Sequence, residues 1–440
     1  MKTQDKRGAR FLQEAIKAHQ AGRFAEAQAL YERTLGCRPR DPDALHFMGV
    51  LRHNQKQSGA GVDLIERSLQ IAPGNAHAWL NLGNVLLETE QTQRARAAYE
   101  RASVLAPKDA DVWFNYGVCL RKIEDARAAI DALDRALELR PTHAPSLYQR
   151  GVARREAGDV DAAEADFRAV LLMMPNYVEV YESLGMLLYR QGRIADAAAV
   201  YSAWLEHDPR SSTARHMTAA MSGEDAPERA SDDYVTETFN RFAGTFDRNL
   251  TQLGYRAPEL VVGALKHYAG AGAQLSNVLD AGCGTGFCGA LLRPIAIHLA
   301  GVDLSPAMVE AARVKGCYDE LAVGELCGFM RGHVAAFDAI VAADTIVYFG
   351  ALEEVLSAAA ASLKARGLLV MTLEKMTADA ETPNYRIEPH GRYTHRLAYV
   401  RAVLQQSNLR LLAAEEQVLR HERGEDVRGL LVTALAQPSL

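Results

Sequence analysis

A repeat period of 34 residues dominates the first half of this 440-residue chain. Four classes of residue keep this period in parallel, which chance does not explain. They are the prolines Pro39, Pro73, Pro107, Pro141, Pro175 and Pro209, the glycines Gly49, Gly83, Gly117, Gly151 and Gly185, the small residues Ala27, Gly61, Ala95, Ala129, Ala163 and Ala197, and the large apolar residues Tyr31, Ile65, Tyr99, Leu133, Phe167 and Tyr201. Because proline stops a helix and glycine admits a close neighbour, each period predicts two helices that pack tightly on each other.

The motif Trp79-x-x-Leu82-Gly83 at this period resembles the signature of the tetratricopeptide repeat family. The resemblance covers residues 8–211 as six repeats, with Ala15 in the glycine position of the first. A weaker first repeat is typical of the end of such an array. The resemblance implies an all-α superhelix whose concave wall is formed by the first helix of each pair.

By the same resemblance, several polar and aromatic side chains face the concave groove. They are Asn81, Asn115, Tyr148, Gln149, Arg121 and Arg155. Amides at a repeated spacing can hydrogen-bond the backbone of an extended peptide, and aromatic rings can hold its side chains. We therefore predict that the repeats bind a protein or peptide. The alternative is a scaffold that mediates only self-association, which would give a homo-oligomer.

The overall composition favours no other kind of partner. The net charge of −6 lacks the basic excess of a nucleic-acid-binding domain. The six cysteines form no Cys-x-x-Cys pair and no Cys/His cluster at zinc spacing, so we expect no metal site. No stretch reaches the ~18 apolar residues of a membrane span, and the N-terminus lacks the apolar core of a signal peptide. We expect a soluble, cytoplasmic protein.

The pattern changes after residue 211. Residues 212–234 are polar and lack a clean period, which predicts a linker. Residues 235–436 then alternate between short apolar runs and helical patterns. Strands that alternate with helices predict an α/β domain with a doubly wound, mostly parallel sheet, whose ligand lies at the carboxyl ends of the strands.

Acidic residues and glycines follow the first three predicted strands of this domain. Glycines after the first strand let a ligand approach the backbone closely. An acidic residue after the second strand is placed to accept hydrogen bonds from a ribose, and one after the third can receive an adenine amino group. Each acidic residue taken alone is better explained as a helix cap or a surface charge, but the series suits an adenosine-containing ligand. The series is Asp280, Gly282, Gly284, Gly286, Asp303 and Glu325.

Two adenosine-containing cofactors compete for this site. The residues from Gly284 to Gly289 satisfy G-x-G-x-x-G, the fingerprint of a nicotinamide dinucleotide site. In that fold the first glycine directly follows the strand, whereas Asp280 and Gly282 intervene here. The register Asp-x-Gly-x-Gly-x-Gly from Asp280 instead resembles motif I of class I S-adenosylmethionine-dependent methyltransferases.

The resemblance extends over residues 235–436, where FNRFAGTFDRNLTQLGYRAPEL, GCYDELAVGEL and PHGRYTHRLAYVRAVLQQSNL are similar to bacterial predicted methyltransferases that carry tetratricopeptide repeats. The resemblance to these methyltransferases implies a Rossmann-like domain with a mostly parallel, seven-stranded sheet and S-adenosyl-L-methionine as the cofactor. Glu325 departs from the family pattern, in which Asp is commoner. The implied cofactor-binding residues are Asp280, Gly282, Gly284, Gly286, Asp303, Leu304, Met308 and Glu325.

The acceptor side is less constrained by the sequence. Asp344 ends the fourth predicted strand, and the polar insertion at 384–395 contains His390, Tyr393 and His395 as further candidate catalytic residues. The alternative for the insertion is a surface loop with a structural His–Arg pair. Two functions remain open: methyl transfer to a protein or peptide that the repeats recruit, or methylation of a small molecule by an enzyme whose repeats serve only assembly.

Overall fold

The chain divides into two units, Met1–Leu187 and Leu188–Leu440. The computed structural model describes residues 2–223, 226–270, 272–376, 383–422 and 425–438. The first unit is helical throughout its described residues, and the second combines helices with a mostly parallel sheet. The predicted fold class, helical repeats followed by an α/β domain, is confirmed.

Consecutive helices of the first unit pack on each other in pairs. The first helix packs on the second, and the third packs on the fourth. The eleventh crosses the boundary between the units. The helices are α1 (Lys2–Gln20), α2 (Phe24–Cys37), α3 (Pro42–Asn54), α4 (Ser58–Ile71), α5 (Ala76–Glu88), α6 (Thr92–Leu105), α7 (Ala110–Lys122), α8 (Ala126–Leu139), α9 (Ala144–Glu156), α10 (Val160–Met173) and α11 (Val178–Arg190).

Local signals in the sequence set the ends of these helices. The side chains of Asp41 and Asn75 accept hydrogen bonds from the backbone N–H three residues on, which caps the starts of α3 and α5. The periodic prolines come two residues after the last helical residue, as Pro73 does after α4. Local residues therefore mark the starts of α3 and α5 and the end of α4.

The periodic glycines lie where two helices approach most closely. A Cβ on Gly83 in α5 would lie 2.7 Å from the ring of Tyr99 in α6, which is closer than real Cβ contacts. The same relation holds between Gly117 and Leu133, where the distance would be 2.6 Å. The expectation that a Cβ would not fit between the paired helices is confirmed. The periodic large residue sixteen positions after each glycine is the group that fills this space.

The second unit begins with helices and continues into the sheet domain. Ser212–Ser222 form α13, so the structure differs from the irregular linker that the sequence predicts over these residues; residues 224 and 225 lie outside the described ranges. The helices before the sheet are α12 (Ile194–His207), α13 (Ser212–Ser222), α14 (Asp232–Phe242), α15 (Phe246–Gln252) and α16 (Ala257–Ala269).

The sheet contains nine strands among the described residues, two more than the seven that the sequence predicts. The additional strands are the hairpin β6–β7, which lies in the predicted insertion and pairs with the end of β5. The strands are β1 (Leu275–Ala281), β2 (Ala296–Asp303), β3 (Glu320–Val323), β4 (Phe337–Ala342), β5 (Leu363–Lys375), β6 (Tyr385–Ile387), β7 (Tyr393–His395), β8 (Leu409–Glu422) and β9 (Glu425–Ala436).

The strand order brings the carboxyl ends of β1, β2 and β4 together. The path runs β3-β2-β1-β4-β5-β7-β6, and β9 pairs with both β5 and β8. The pairs from β3 through β5 are parallel, whereas β5–β9 and β8–β9 are antiparallel. Helices of the sheet domain follow the strands as α17 (Phe287–Leu292), α18 (Pro306–Lys315), α19 (Leu326–Arg331), α20 (Glu353–Ser362) and α21 (Leu397–Gln406).

The close approach at Gly83 predicts a specific cost of substitution. We expect Gly83→Ala to lower the free energy of unfolding by about 1–3 kcal/mol, because the new methyl group overpacks the contact with Tyr99. Gly59→Ala is the matched control, since Gly59 also lies in a repeat helix but has no atom within 4 Å of the position that a methyl group would take. The control should be neutral or slightly stabilised, because alanine is the better helix former. Urea unfolding followed by circular dichroism measures both, and equal midpoints for the two variants would contradict the packing account.

Candidate functional site

A cavity in the second unit lies at the carboxyl ends of the parallel strands. Its empty volume is about 1260 Å³, including the part that is open to solvent. Six residues that the sequence singled out line this cavity. They are Gly282, Gly284, Asp303, Leu304, Glu325 and Asp344.

The glycines after β1 form a turn that only glycine adopts without strain. Gly282, Gly284 and Gly286 have φ values of 75°, 52° and 88°, in the left-handed region. A Cβ on Gly282 would collide with the side chain of Thr345. A Cβ on Gly284 would meet only the ring of Phe246, at 3.8 Å. The backbone of Gly284 is therefore open to a ligand in the cavity.

Asp303, at the end of β2, joins the turn after β1 to the turn that follows its own strand. Its Oδ2 accepts a hydrogen bond from the backbone N–H of Gly284 (2.9 Å), and its Oδ1 accepts one from that of Ser305 (2.9 Å). Burial raises the pKa of Asp303, while these backbone donors act in the opposite direction. A carboxylate oxygen has two lone pairs, so each oxygen retains the capacity to accept a further bond from a ligand.

Three of the predicted cofactor residues lie outside the cavity lining. Asp280 is buried and accepts a hydrogen bond from the hydroxyl of Tyr318 (2.6 Å). Burial, with the nearby charge of Asp303, raises the pKa of Asp280 to about 7, although the bond from Tyr318 opposes this. Gly286 precedes α17, and the fully buried Met308 lies in the first turn of α18. These residues support the turns and do not form the cavity surface.

Glu325 lines the cavity and also caps a helix. Its two carboxylate oxygens accept hydrogen bonds from the backbone N–H groups of Cys327 (2.9 Å) and Gly328 (2.6 Å), at the start of α19. The helix-cap alternative therefore holds for this residue together with its position in the cavity wall. The cap fixes the carboxylate at the third-strand edge of the site.

Asp344 lies two residues after the end of β4 in a strained backbone conformation, with φ at 52°. Its Oδ1 accepts a hydrogen bond from Thr372 Oγ1 (3.0 Å), and its Oδ2 accepts one from Arg420 Nη1 (2.7 Å). Both oxygens are therefore held by the protein. The carboxylate of Asp344 therefore has a fixed orientation in the cavity wall.

Arg420 belongs to a buried charge cluster that we define as Asp344, Glu374, Arg392, Arg420 and Glu422. Arg420 is only 3% exposed and donates to Asp344, Glu374 and Glu422. Arg392 donates to Glu374 (2.8 Å) and to Glu422 (2.7 Å). Burial alone would raise the pKa of Glu422, but Arg392 and Arg420 outweigh it and lower that pKa to about 2. With two cations and three carboxylates, the cluster carries a net negative charge.

The three candidates from the insertion do not line the cavity. The imidazole of His390 accepts from the backbone N–H of Arg392 (3.3 Å) and faces Glu374 at 3.3 Å. Burial, together with the charge of Arg392, lowers the pKa of His390. Tyr393 donates its hydroxyl proton to the carbonyl oxygen of Pro227 (2.7 Å), and His395 Nε2 donates to that of Gly350 (3.1 Å). Tyr393 and His395 are fully buried, so they lie neither in the cavity wall nor in a surface loop.

Several residues that line the cavity were not predicted from the sequence. Arg420 and Glu422 lie on β8, where no motif marks them, and their approach to Asp344 depends on the antiparallel β5–β9–β8 pairing. Phe239, Phe246 and Tyr255 also line the cavity. These three lie within the segment FNRFAGTFDRNLTQLGYRAPEL, which is one of the segments that resemble the methyltransferase family. The spacing of motif residues does not mark them.

The residues predicted for the repeat groove have several intramolecular partners. The amide of Asn81 donates to His46 Nε2 (2.8 Å), Arg121 pairs with Glu156 (2.9 Å), and the hydroxyls of Tyr148 and Ser183 are 3.3 Å apart. These bonds join residues 35 positions apart, so they connect neighbouring repeats. The amide of Asn115 donates to the carbonyl oxygen of Asp111 (2.8 Å), and the buried Oε1 of Gln149 has no partner. Arg155 also interacts with other residues of the chain.

Metal-binding clusters and membrane-spanning helices are absent from the described ranges. Over residues 2–223, 226–270, 272–376, 383–422 and 425–438, no group of three or more His, Cys, Asp or Glu side chains could hold a metal ion. Within the same ranges, no helix has the length and apolar character that crossing a membrane requires.

Two family models match this chain. The tetratricopeptide repeat model matches residues 12–76, 80–144 and 148–212, and the methyltransferase domain model matches residues 279–369. The chain is also 38% identical to methyltransferase-like protein 27 from Homo sapiens over 86 residues, which are 19% of this chain and 35% of that protein. The chain therefore spans about a third of the length of this curated relative.

Solved structures give weaker likenesses. MamA is 21% identical and YrrB, a TPR protein with an unusual peptide-binding site, is 20% identical, with TM-scores of 0.37 and 0.38. PilF from Pseudomonas aeruginosa is 16% identical, with a TM-score of 0.43. The matches cover 38%, 42% and 49% of this chain and 92%, 96% and 99% of the other chains, respectively. TM-scores below 0.5 leave the function open.

The buried carboxyl of Asp280 predicts a pH dependence of stability. Its pKa of about 7 in the folded chain exceeds the ordinary value of 3.8, so folding favours the protonated form. The stability that this group contributes is full below about pH 4 and is lost as the pH rises through about 7. Asp280→Asn removes that loss. We expect the unfolding free energy of the variant, relative to wild type, to increase from pH 5 to pH 8.

Asp319→Asn is the control for this measurement. Hydrogen bonds from the backbone of Leu299 and from Arg293 lower the pKa of Asp319, so its carboxylate is ionised throughout that range. The control difference from wild type should stay constant between pH 5 and pH 8 in urea unfolding. A difference for Asp280→Asn that is equally constant would contradict the burial account.

Proposed function

Since the chain carries tetratricopeptide repeats in its N-terminal region and a methyltransferase domain near its C-terminus, we propose that it transfers a methyl group from S-adenosylmethionine to an acceptor. The first candidate acceptor is a protein or peptide that the repeats recruit. The observation that carries the cofactor assignment is the convergence of the glycine turn, Asp303, Glu325 and Asp344 on one cavity.

The residues present fit an adenosine-containing cofactor. The open space beside Gly284 lets a ligand approach the backbone closely, and a side chain there would fill part of that space. Asp303 retains acceptor capacity for ribose hydroxyls, and Leu304 lies next to it in the wall. Glu325 lies in the cavity wall after β3. Asp280 and Gly286 support the glycine turn from outside the cavity surface.

The acceptor end of the cavity is suited to orientation more than to proton removal. The cofactor supplies an intrinsically reactive sulfonium methyl, so the protein's main contribution is to align the acceptor with it. Asp344 is fixed by Arg420 and Thr372, and its negative charge suits a site next to a sulfonium cation. Tyr348 and Tyr255 line the same end and exclude water with their rings. We assign Asp344 to binding and orientation.

A small-molecule acceptor is the second candidate, and the cavity surface favours it. Phe239, Phe246, Leu250 and Tyr255 give the cavity apolar surface in addition to its charged groups. A small molecule with an apolar body and a polar group fits such a surface. In this case the repeats would serve assembly and not acceptor binding.

The cofactor assignment predicts selective stabilisation by ligand. S-adenosylhomocysteine should raise the melting temperature, and NAD should not, because a ligand stabilises the state that binds it. Asp303→Ala should weaken S-adenosylhomocysteine binding by about 1–3 kcal/mol through lost hydrogen bonds. Isothermal titration measures the affinity, and Glu310→Ala, which removes an exposed ion pair on α18, is the control. Tight NAD binding without any response to S-adenosylhomocysteine would refute the assignment.

The recruitment hypothesis predicts a change in KM without a change in chemistry. Asn115→Ala removes an amide from the proposed groove, and it should raise the KM for a protein acceptor while kcat stays constant. The acceptor is first found by transfer of radiolabelled methyl to fractionated cell extract. Gln93→Ala, which removes an exposed amide from α6, is the matched control. Label that enters only small organic compounds would exclude recruitment of a protein acceptor and favour the second candidate.

A further inference from the structure

The helices α14 and α15 form one side of the cavity. Their inward residues are apolar, and ring contacts join them to each other and to the wall after β4. The ring of Phe239 packs edge-on against that of Phe246, at 5.9 Å between centroids, and against that of Tyr348, at 5.5 Å. We call Asp232–Gln252 the cover. Its residues that line the cavity are Val235, Phe239, Phe246 and Leu250.

One polar residue of the cover is bonded to the turn after β2. Asn240 Oδ1 accepts a hydrogen bond from Ser305 Oγ (2.7 Å) and one from the backbone N–H of Ala307 (3.2 Å). Ser305 comes two residues after Asp303, whose carboxylate holds the same turn. Asn240 therefore fixes the cover to the proposed ribose side of the site.

A second polar residue is bonded to the turn after β1. Asp247 Oδ1 accepts a hydrogen bond from Thr285 Oγ1 (2.5 Å), and its Oδ2 pairs with Lys315 Nζ (2.8 Å). Lys315 also lies over the ring of Phe287, with Nζ 4.6 Å from the centroid. Thr285 is buried and directly follows Gly284. Asp247 therefore fixes the cover to the glycine turn.

We propose that Asn240 and Asp247 are positioning residues that hold the cover closed over bound cofactor and so limit its release. This inference rests on the proposed cofactor, because the two contacts fall on the two turns that carry Gly284 and Asp303. The cover forms one side of the cavity next to these turns, through Val235, Phe239, Phe246 and Leu250. Opening requires that the hydrogen bonds to Ser305 and Thr285 break together.

The test uses the full chain and radiolabelled S-adenosylhomocysteine chased with unlabelled ligand. Asn240→Ala and Asp247→Ala should each speed release about 3- to 10-fold, the effect of one or two lost hydrogen bonds. Association should also become faster, because a larger fraction of the free protein is open, so that Kd changes less than the release rate. Asn240→Asp keeps an acceptor oxygen at the same position and should restore slow release.

Controls separate closure of the cover from general damage to the fold. Glu310→Ala removes an exposed ion pair on α18 and should release ligand at the wild-type rate. If Asp247→Ala does not fold, Lys315→Met removes the partner of that carboxylate while Asp247 stays in place, and it should also speed release.

Two results would overturn the inference alone. One is wild-type release rates in both alanine variants, and the other is a lower binding stoichiometry with unchanged rates, which indicates a structural defect. Failure of the wild-type chain to bind S-adenosylhomocysteine would instead refute the proposed function itself.

Discussion

The carboxylate of Asp303 is the constraint on which the rest of the site depends. It accepts one hydrogen bond from Gly284, after β1, and one from Ser305, after β2. Because β1 and β2 are parallel neighbours, their turns emerge at the same edge, and one short side chain can hold both. The burial that makes this charge costly also makes its backbone partners obligatory. The cover in turn is bonded to these same two turns, through Thr285 and Ser305.

The parts of the structure that follow a local rule were predictable from the sequence. The pairing of Gly83 with Tyr99 follows from a spacing of sixteen residues that recurs in successive repeats, so the sequence states the contact several times. The arrangement of Gly284 and Asp303 follows from strand–turn–helix order, since parallel strands bring their carboxyl ends to one edge. Neither inference required knowledge of which segments that are distant in sequence lie close together in the fold. Both rested on patterns that the chain repeats or that a parallel sheet imposes.

Apart from Asp344, the charge cluster was not predicted in this way. Arg420 reaches Asp344 and Glu374 only because β9 pairs antiparallel with both β5 and β8, and no sequence spacing records that register. His395 looked chemically useful in a polar insertion, yet the β6–β7 hairpin buries it against the carbonyl oxygen of Gly350. Residue type identified groups capable of chemistry. Only tertiary pairing decided which of them face the cavity.

The helix α13 is a segment whose secondary structure depends on packing and is not evident from its composition. Apart from Met217 and Met221, its buried residues are small or polar, among them His216, so its sequence resembles a linker. His216 Nε2 donates to the carbonyl oxygen of Gly391 (2.8 Å), and its ring stacks on Tyr234 at 3.9 Å between centroids. Gly391 precedes Arg392, which belongs to the charge cluster. The helix that follows the last repeat is therefore bonded to the segment that carries Arg392, while the turns after β1 and β2 are held by Asp303 and the cover.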